Sequence, residues 1–236
     1  MSELIFVRHG QASFGEDSYD KLSQLGIEQV RILARHWQQT GEQFDFLYSG
    51  TLQRQKETAA ELMSLVKNNQ VEPIEHSWLN EYNADPLIQT YLRSHSVNEG
   101  LDPKLSWPIR EESLFQRIFE AATSKWIRDE LEPSDQDREF EQWSKFRERV
   151  HSVLDELMAK HRSGSRVLIS TSGGVIAMAL QRVLQFPDEQ VISINWMVHN
   201  SSVTRIKYGN GKISLTQFNS LPHLERKGLN HLVTYR

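Results

Sequence analysis

Cysteine is absent from the 236 residues. Its absence excludes disulfides, thiolate metal sites and cysteine nucleophiles, and leaves any covalent chemistry to other side chains. Long apolar runs are missing too: no stretch approaches the ~20 residues a helix needs to cross a bilayer. Neither sign of charge dominates, with 27 Lys and Arg against 31 Asp and Glu and a formal net charge of −4. A general binder of nucleic acid or of anionic membranes needs a basic surplus, so neither partner is expected, although a local basic pocket is compatible with this balance. No His-x-x-x-His or His-x-Glu-x-x-His spacing occurs, and no metal or other cofactor is expected. The six tryptophans are scattered, without the basic-aromatic interleaving that stacks single-stranded nucleic acid. No internal repeat is visible. The first apolar segment begins within three residues of Met1, which leaves no room for a signal peptide, so residence in the cytoplasm is expected.

What is present is organised around the first ten residues. Leu4, Ile5, Phe6 and Val7 read as a short buried strand. It stops at Arg8-His9-Gly10, where glycine lets the backbone turn sharply and approach a ligand. Ser23 then caps a helix with Leu25, Val30, Leu33, Ala34 and Trp37 on one face. A second strand over 44–48 breaks at Ser49-Gly50, and a helix follows over 51–66. Strand, turn, helix repeated is the rhythm of a parallel sheet wrapped by helices. A third strand is expected over 71–76, followed by a loop over 78–82. From 83 to about 145, Pro86, Pro103, Pro108 and Pro133 break the chain and strand signals vanish. This part reads as helices and loops inserted over the sheet edge, with helices at 86–93, 111–131 and 139–160. Residues 166–171 resume as a strand, Ser172-Gly173-Gly174 turns the chain, and 175–184 is helical. Further strands are expected at 192–198, 202–208 and 212–218, and a polar, irregular tail from 219. The fold class is α/β: a three-layer sandwich with a mostly parallel sheet, read as one domain over 1–236 with a helical insertion at about 83–145.

Four strand ends carry polar groups, and these meet only if the strands are parallel neighbours. They supply Arg8 and His9, then Ser49 and Arg54, then Glu81, and finally Ser172 at a helix N-terminus whose free N–H groups favour an anion. Guanidiniums bond phosphate oxygens bidentately, so the set describes a phosphate site. Taken singly, Arg54 is equally a surface helix charge and Glu81 a solvated acid. Ser172, between a strand and a helix, also fits a nucleophile elbow with His199 or His223 as base, although glycine is missing two residues before it. That serine-hydrolase reading leaves Arg8, His9 and Arg54 unexplained.

These residues resemble the histidine phosphatase superfamily, the phosphoglycerate mutase-like proteins. Val7-Arg8-His9-Gly10 matches its first signature. Ser49-Gly50-Thr51-Leu52-Gln53-Arg54-Gln55-Lys56-Glu57-Thr58-Ala59 matches the second with one extra residue before the leucine, and Leu79-Asn80-Glu81 looks like its acid loop. Val167 to Ile176 and Asn200-Ser201-Ser202-Val203-Thr204 resemble its two late motifs. The resemblance implies a phosphomonoester hydrolase acting on a small phosphorylated metabolite through phosphohistidine. His9 is then the nucleophile, Arg8 and Arg54 the clamp, and Glu81 the proton donor, while Ser172, Gly173, Gln11 and Ser13 line the phosphate.

Two departures weaken the pattern. Ser172 stands where the family usually has a second histidine, and Gly15 where its mutases often have asparagine. The first motivates an alternative, a phosphate-ligand binder with weakened catalysis; a mutase is a further variant. His199 is a candidate to compensate for the missing histidine. Substrate choice is expected of the insertion, with Arg93, His95 and Arg110 as candidates. His36, His151 and His161 are expected on helix surfaces.

Overall fold

The computed structural model of the chain describes residues 1–13, 20–68, 72–95, 109, 111–134, 139–162 and 164–235. Strands β1 (Ser2–Arg8), β2 (Phe46–Ser49), β3 (Ile74–Glu75), β4 (Arg166–Thr171), β5 (Val203–Gly209) and β6 (Lys212–Ser220) make one sheet, in the order β3-β2-β4-β1-β5-β6. The first four are mutually parallel, and β5 and β6 join antiparallel. β4 thus lies between β1 and β2. Its register sets Arg8 opposite Thr171 on one side and Ser49 opposite Ser170 on the other. Open α/β sheets bind ligands at such carboxyl ends, where the strand order reverses.

The helices follow from local chemistry. Helix α1 (Gln24–Gln39) starts where the Ser23 hydroxyl accepts from the Gly26 N–H at 3.0 Å, and it stops at Thr40 before Gly41 in the left-handed region, φ 70°. Its Val30, Leu33 and Trp37 pack with Ile5 and Val7 of β1 and with Ala59 and Leu62 of α2 (Gln53–Leu62). Each valine, leucine and isoleucine among them stabilises the fold by about 1.5–3 kcal/mol when taken out of water. β1 is covered on both faces, which is why it reads as a continuous apolar run. Helix α6 (Gly173–Leu184) is buried along Gly173–Leu180.

The chain forms two compact units, residues 1–81 with 150–236, and residues 82–149. The second holds α3 (Ala84–His95), α4 (Glu112–Ile127) and the first residues of α5 (Trp143–Lys160). Its centre is aromatic. Trp126 meets Tyr82 at 4.8 Å and Trp143 at 4.9 Å between centroids, within the range rings favour, and its indole N–H donates to the Glu141 carbonyl at 2.7 Å. Among the described residues no helix is long and apolar enough to cross a membrane.

Several expectations are corrected. Of the residues expected as a strand over 192–198, all but Val198 fall in helix α7 (Glu189–Met197). Pro187-Asp188-Glu189 opens a helix whose first turn welcomes an acid, and this outweighs the β-propensity of Val191, Ile192 and Ile194. The third strand shrinks to the exposed pair Ile74–Glu75 at the sheet edge, Val71 lying outside the described residues. Helix α2 ends at Leu62, and Met63–Leu65 tighten into a 3₁₀ turn, another of which spans Ser77–Leu79. The tail is not merely polar: Leu221, Leu224 and Leu232 bury against Ile32. His161 is buried, not superficial. Its Nε2 lies 2.8 Å from the Tyr48 hydroxyl, and the Phe46 ring covers it. His36 and His151 are half-buried.

Candidate active site

Arg8 and His9 leave the carboxyl end of β1 between two neighbours. The His9 N–H donates to the Thr171 carbonyl at 2.9 Å, and the Arg8 N–H donates to the Ser202 carbonyl at 3.2 Å. The turn that follows needs glycine for space. A Cβ on Gly10 would lie 2.3 Å from the Gly26 carbonyl oxygen, and one on Gly26 would lie 2.1 Å from that of Gln11. The loop after β1 therefore rests directly on the first turn of α1.

The imidazole of His9 is buried, and both ring nitrogens are engaged. Nδ1 lies 2.7 Å from the Gly10 carbonyl, while Nε2 accepts from the Arg54 Nε–H at 3.1 Å. Since a guanidinium only donates and a carbonyl only accepts, these partners select the tautomer with the proton on Nδ1 and the lone pair on Nε2. Burial, then the charges of Arg54 and Arg8, hold this imidazole well below the ordinary histidine pKa; the Gly10 bond opposes them without prevailing. His9 is a neutral ring facing cations.

Arg54 sits one turn into α2, and its Nη1 is also held by the Asp20 carboxylate at 2.6 Å. The other oxygen of Asp20 accepts from the Gln53 N–H at 2.9 Å, at the start of α2. Arg8 donates to the Val198 carbonyl. Its Nε would be 3.6 Å from a Cβ at Gly173, so α6 begins directly against this guanidinium. Ser172 is buried and its hydroxyl accepts from Gln55 Nε2 at 2.8 Å, the same amide donating to the Leu79 carbonyl at 3.1 Å. The N-terminus of α6 is met by a carboxyl group of the protein itself: Glu81 accepts from the Gly174 N–H at 2.9 Å.

Arg8, His9, Arg54, Glu81, Ser172 and Gly173 therefore gather at the carboxyl ends of β1, β2 and β4. The side chains of Gln11 and Ser13 turn toward the start of α1 instead. Gln11 Oε1 accepts from the Ser23 hydroxyl at 2.9 Å, and the Ser13 hydroxyl donates to the Leu22 carbonyl at 3.1 Å. His199, the candidate to compensate for Ser172, is engaged elsewhere; its Nδ1 pairs with Asn219 at 2.9 Å and its ring lies tilted against Tyr235. His223 lies 2.9 Å from the Ser201 hydroxyl, so neither histidine serves Ser172 as a base. Arg93 is exposed on α3 with its guanidinium on the Thr90 hydroxyl, 3.4 Å away. Arg110, Gly15 and the His95 side chain lie outside the described residues. Among the described residues no group of three or more His, Asp or Glu is placed to hold a metal ion.

Sequence reasoning missed Gln29, Gln55 and Asp20. A signal existed for the glutamines. Gln29 lies on the α1 stripe between Leu25 and Leu33, and Gln55 on the α2 stripe before Ala59 and Leu62. A polar residue on an apolar stripe must find buried partners. Asp20 carried no such mark.

Residues 4–94 and 106–221 match the model of the histidine phosphatase superfamily, branch 1. A phosphoserine phosphatase variant of Entamoeba histolytica, solved with phosphoserine, is similar at a TM-score of 0.61 and 18% identity, over 95% of this chain and 100% of that one. A mycobacterial glucosyl-3-phosphoglycerate phosphatase solved with VO3 gives 0.65 and 18%, over 92% and 99%. A phosphoglycerate mutase of Bacillus anthracis gives 0.63 and 18%, over 94% of each. With that match running through most of its length, the chain belongs to the histidine phosphatase superfamily.

Proposed function

We propose that this chain hydrolyses phosphomonoesters of a small metabolite, in the cytoplasm and without a cofactor, through a phosphohistidine intermediate. The observation that carries the reading is the neutral ring of His9, with its lone pair on Nε2 facing the Arg54 Nε–H at 3.1 Å. A phosphoryl group entering between them meets a nucleophile on one side and a fork of donors on the other. His9 Nε2 attacks phosphorus, the ester oxygen leaves with a proton from Glu81, and the phosphoryl group stays on His9. Water then attacks phosphorus, gives its proton back to Glu81, and releases inorganic phosphate and the free ring. Arg8 and Arg54 hold the equatorial oxygens, where charge spreads in the transition state. Ser172 donates its hydroxyl proton to the phosphate, since its oxygen already accepts from Gln55. Gly173 lets the phosphate approach the backbone, and Gln11 and Ser13 shape the loop beside it. Substrate choice is assigned to the insertion at about 83–145.

The test is rapid acid-free quenching after mixing with a labelled aryl phosphate. An acid-labile, base-stable phosphoenzyme is expected in the wild type and none in His9→Ala, whose turnover falls by at least about 1,000-fold. Wild-type turnover in His9→Ala overturns the mechanism. A specific observation supports a second reading: Ser172 brings no cation to the pocket and is itself occupied by Gln55. Tight vanadate binding with neither phosphoenzyme nor turnover assigns the chain to that reading, a phosphate-ligand binder.

A further inference from the structure

The loop His9-Gly10-Gln11 is held from behind by a closed circuit of hydrogen bonds. On one side, Gln29 Oε1 accepts from the Gln11 N–H at 2.9 Å. On the other, Asn200 Nδ2 donates to the His9 carbonyl at 3.2 Å. A single hydroxyl joins these two amides. Thr234 Oγ1 accepts from Gln29 Nε2 at 2.9 Å and donates to Asn200 Oδ1 at 2.9 Å. The backbone doubles the tie: Asn200 N–H donates to the Thr234 carbonyl at 2.9 Å, and Gln29 Nε2 also donates to the Leu232 carbonyl at 2.7 Å. Gln29 is 0% exposed and Asn200 1%, so neither amide can turn to water if the hydroxyl is lost.

We infer that Thr234 is a positioning residue for the nucleophile: its hydroxyl fixes both flanks of Gly10 and with them the direction of the His9 lone pair. The inference rests on the phosphohistidine reading for its catalytic effect, but the clamp itself is a geometric claim. The directions leave no slack. Thr234 must accept from Gln29, because that amide's oxygen is taken by Gln11, so its proton can go only to Asn200 Oδ1. That in turn orients Asn200 with Nδ2 toward the His9 carbonyl. The same segment reaches the other reactive residue. Tyr235 lies tilted against His199, 4.1 Å between ring centroids, next to the Val198 carbonyl that accepts from Arg8.

Thr234→Val keeps the shape and removes both bonds, whereas Thr234→Ser keeps the hydroxyl. With an aryl phosphate, Thr234→Val is expected to lower kcat by about tenfold or more with KM within about twofold, because misaligned attack costs rate rather than binding. Thr234→Ser is expected to stay within about threefold of the wild type. Hydrogen exchange at the Gln11 amide is expected to quicken in the valine variant alone. Thr234 is only half-buried; should the valine variant nevertheless not fold, Thr234→Ala asks the same question. Wild-type kcat in the valine variant overturns the inference, as does a serine variant impaired as much as the valine one, which would mark a packing role. If the wild type turns over no phosphomonoester, the proposed function fails separately, and Gln11 exchange alone decides: no change in the valine variant overturns the clamp.

Discussion

The proposed nucleophile has to be deprotonated on one chosen nitrogen, and the ring of His9 is brought to that form by its neighbours instead of by pH. The Gly10 carbonyl takes the Nδ1 proton, the guanidiniums disfavour a second one, and burial removes the water that would stabilise it. The ring is therefore expected to gain its second proton only well below the ordinary histidine range in the folded protein. A ring-carbon NMR titration checks this, and a midpoint near 6.5 for His9 would contradict the geometry. How much of this was legible in the sequence depends on the residue. Arg8, His9 and Arg54 lie beside strand ends, where topology alone brings them together. Gln29 and Gln55 were marked only as polar residues on apolar stripes, which says that they are bonded but not to what, and Thr234 carried no mark, because an amide or hydroxyl gains a role only from a partner far away in the chain. The place of Ser172 at the turn into α6 was legible, and its hydrogen bond to Gln55 was not.

At the scale of elements, the first crossover is set by two glycines. Gly10 and Gly26 let the loop after β1 touch the first turn of α1, and the Gln29 amide continues that contact. Gly26→Ala places a Cβ 2.1 Å from the Gln11 carbonyl oxygen, which must move. A loss of about 2–3 kcal/mol in urea unfolding is expected, the usual cost of overpacking, together with lower activity. An unchanged unfolding midpoint would mean that the loop and helix do not meet this closely. Strands β1 and β4 were readable because each is a full apolar run bounded by polar residues. Residues 192–198 misled because Val191, Ile192 and Ile194 favour strands locally, while the Pro-Asp-Glu opening and burial of one side made a helix. The edge strand β3 is too short to carry any period at all.

For the molecule as a whole, buried neutral histidines link stability to pH. His223, wholly buried against Ser201, is pushed by burial and then by the nearby His36 and Arg226 down to about 3. Below about 6.5 the unfolded chain binds a proton there that the folded chain refuses, so stability falls as pH drops and levels off only near the folded value. Each such group costs about 1.4 kcal/mol per pH unit in that window. Between pH 7 and 5 the wild type is expected to lose about 2 kcal/mol more than His223→Gln, measured by urea unfolding at both values; equal losses would show that His223 titrates normally. The sheet order carries a last consequence, for biosynthesis. Because β4 separates β1 from β2, the first two strands have no ladder to share, and the partner that unites them ends only at Thr171. A nascent chain can lay the run Leu4–Val7 against α1 early, but it carries that strand without a ladder neighbour until Thr171 is made, so its sheet is completed later in synthesis than one built from hairpins.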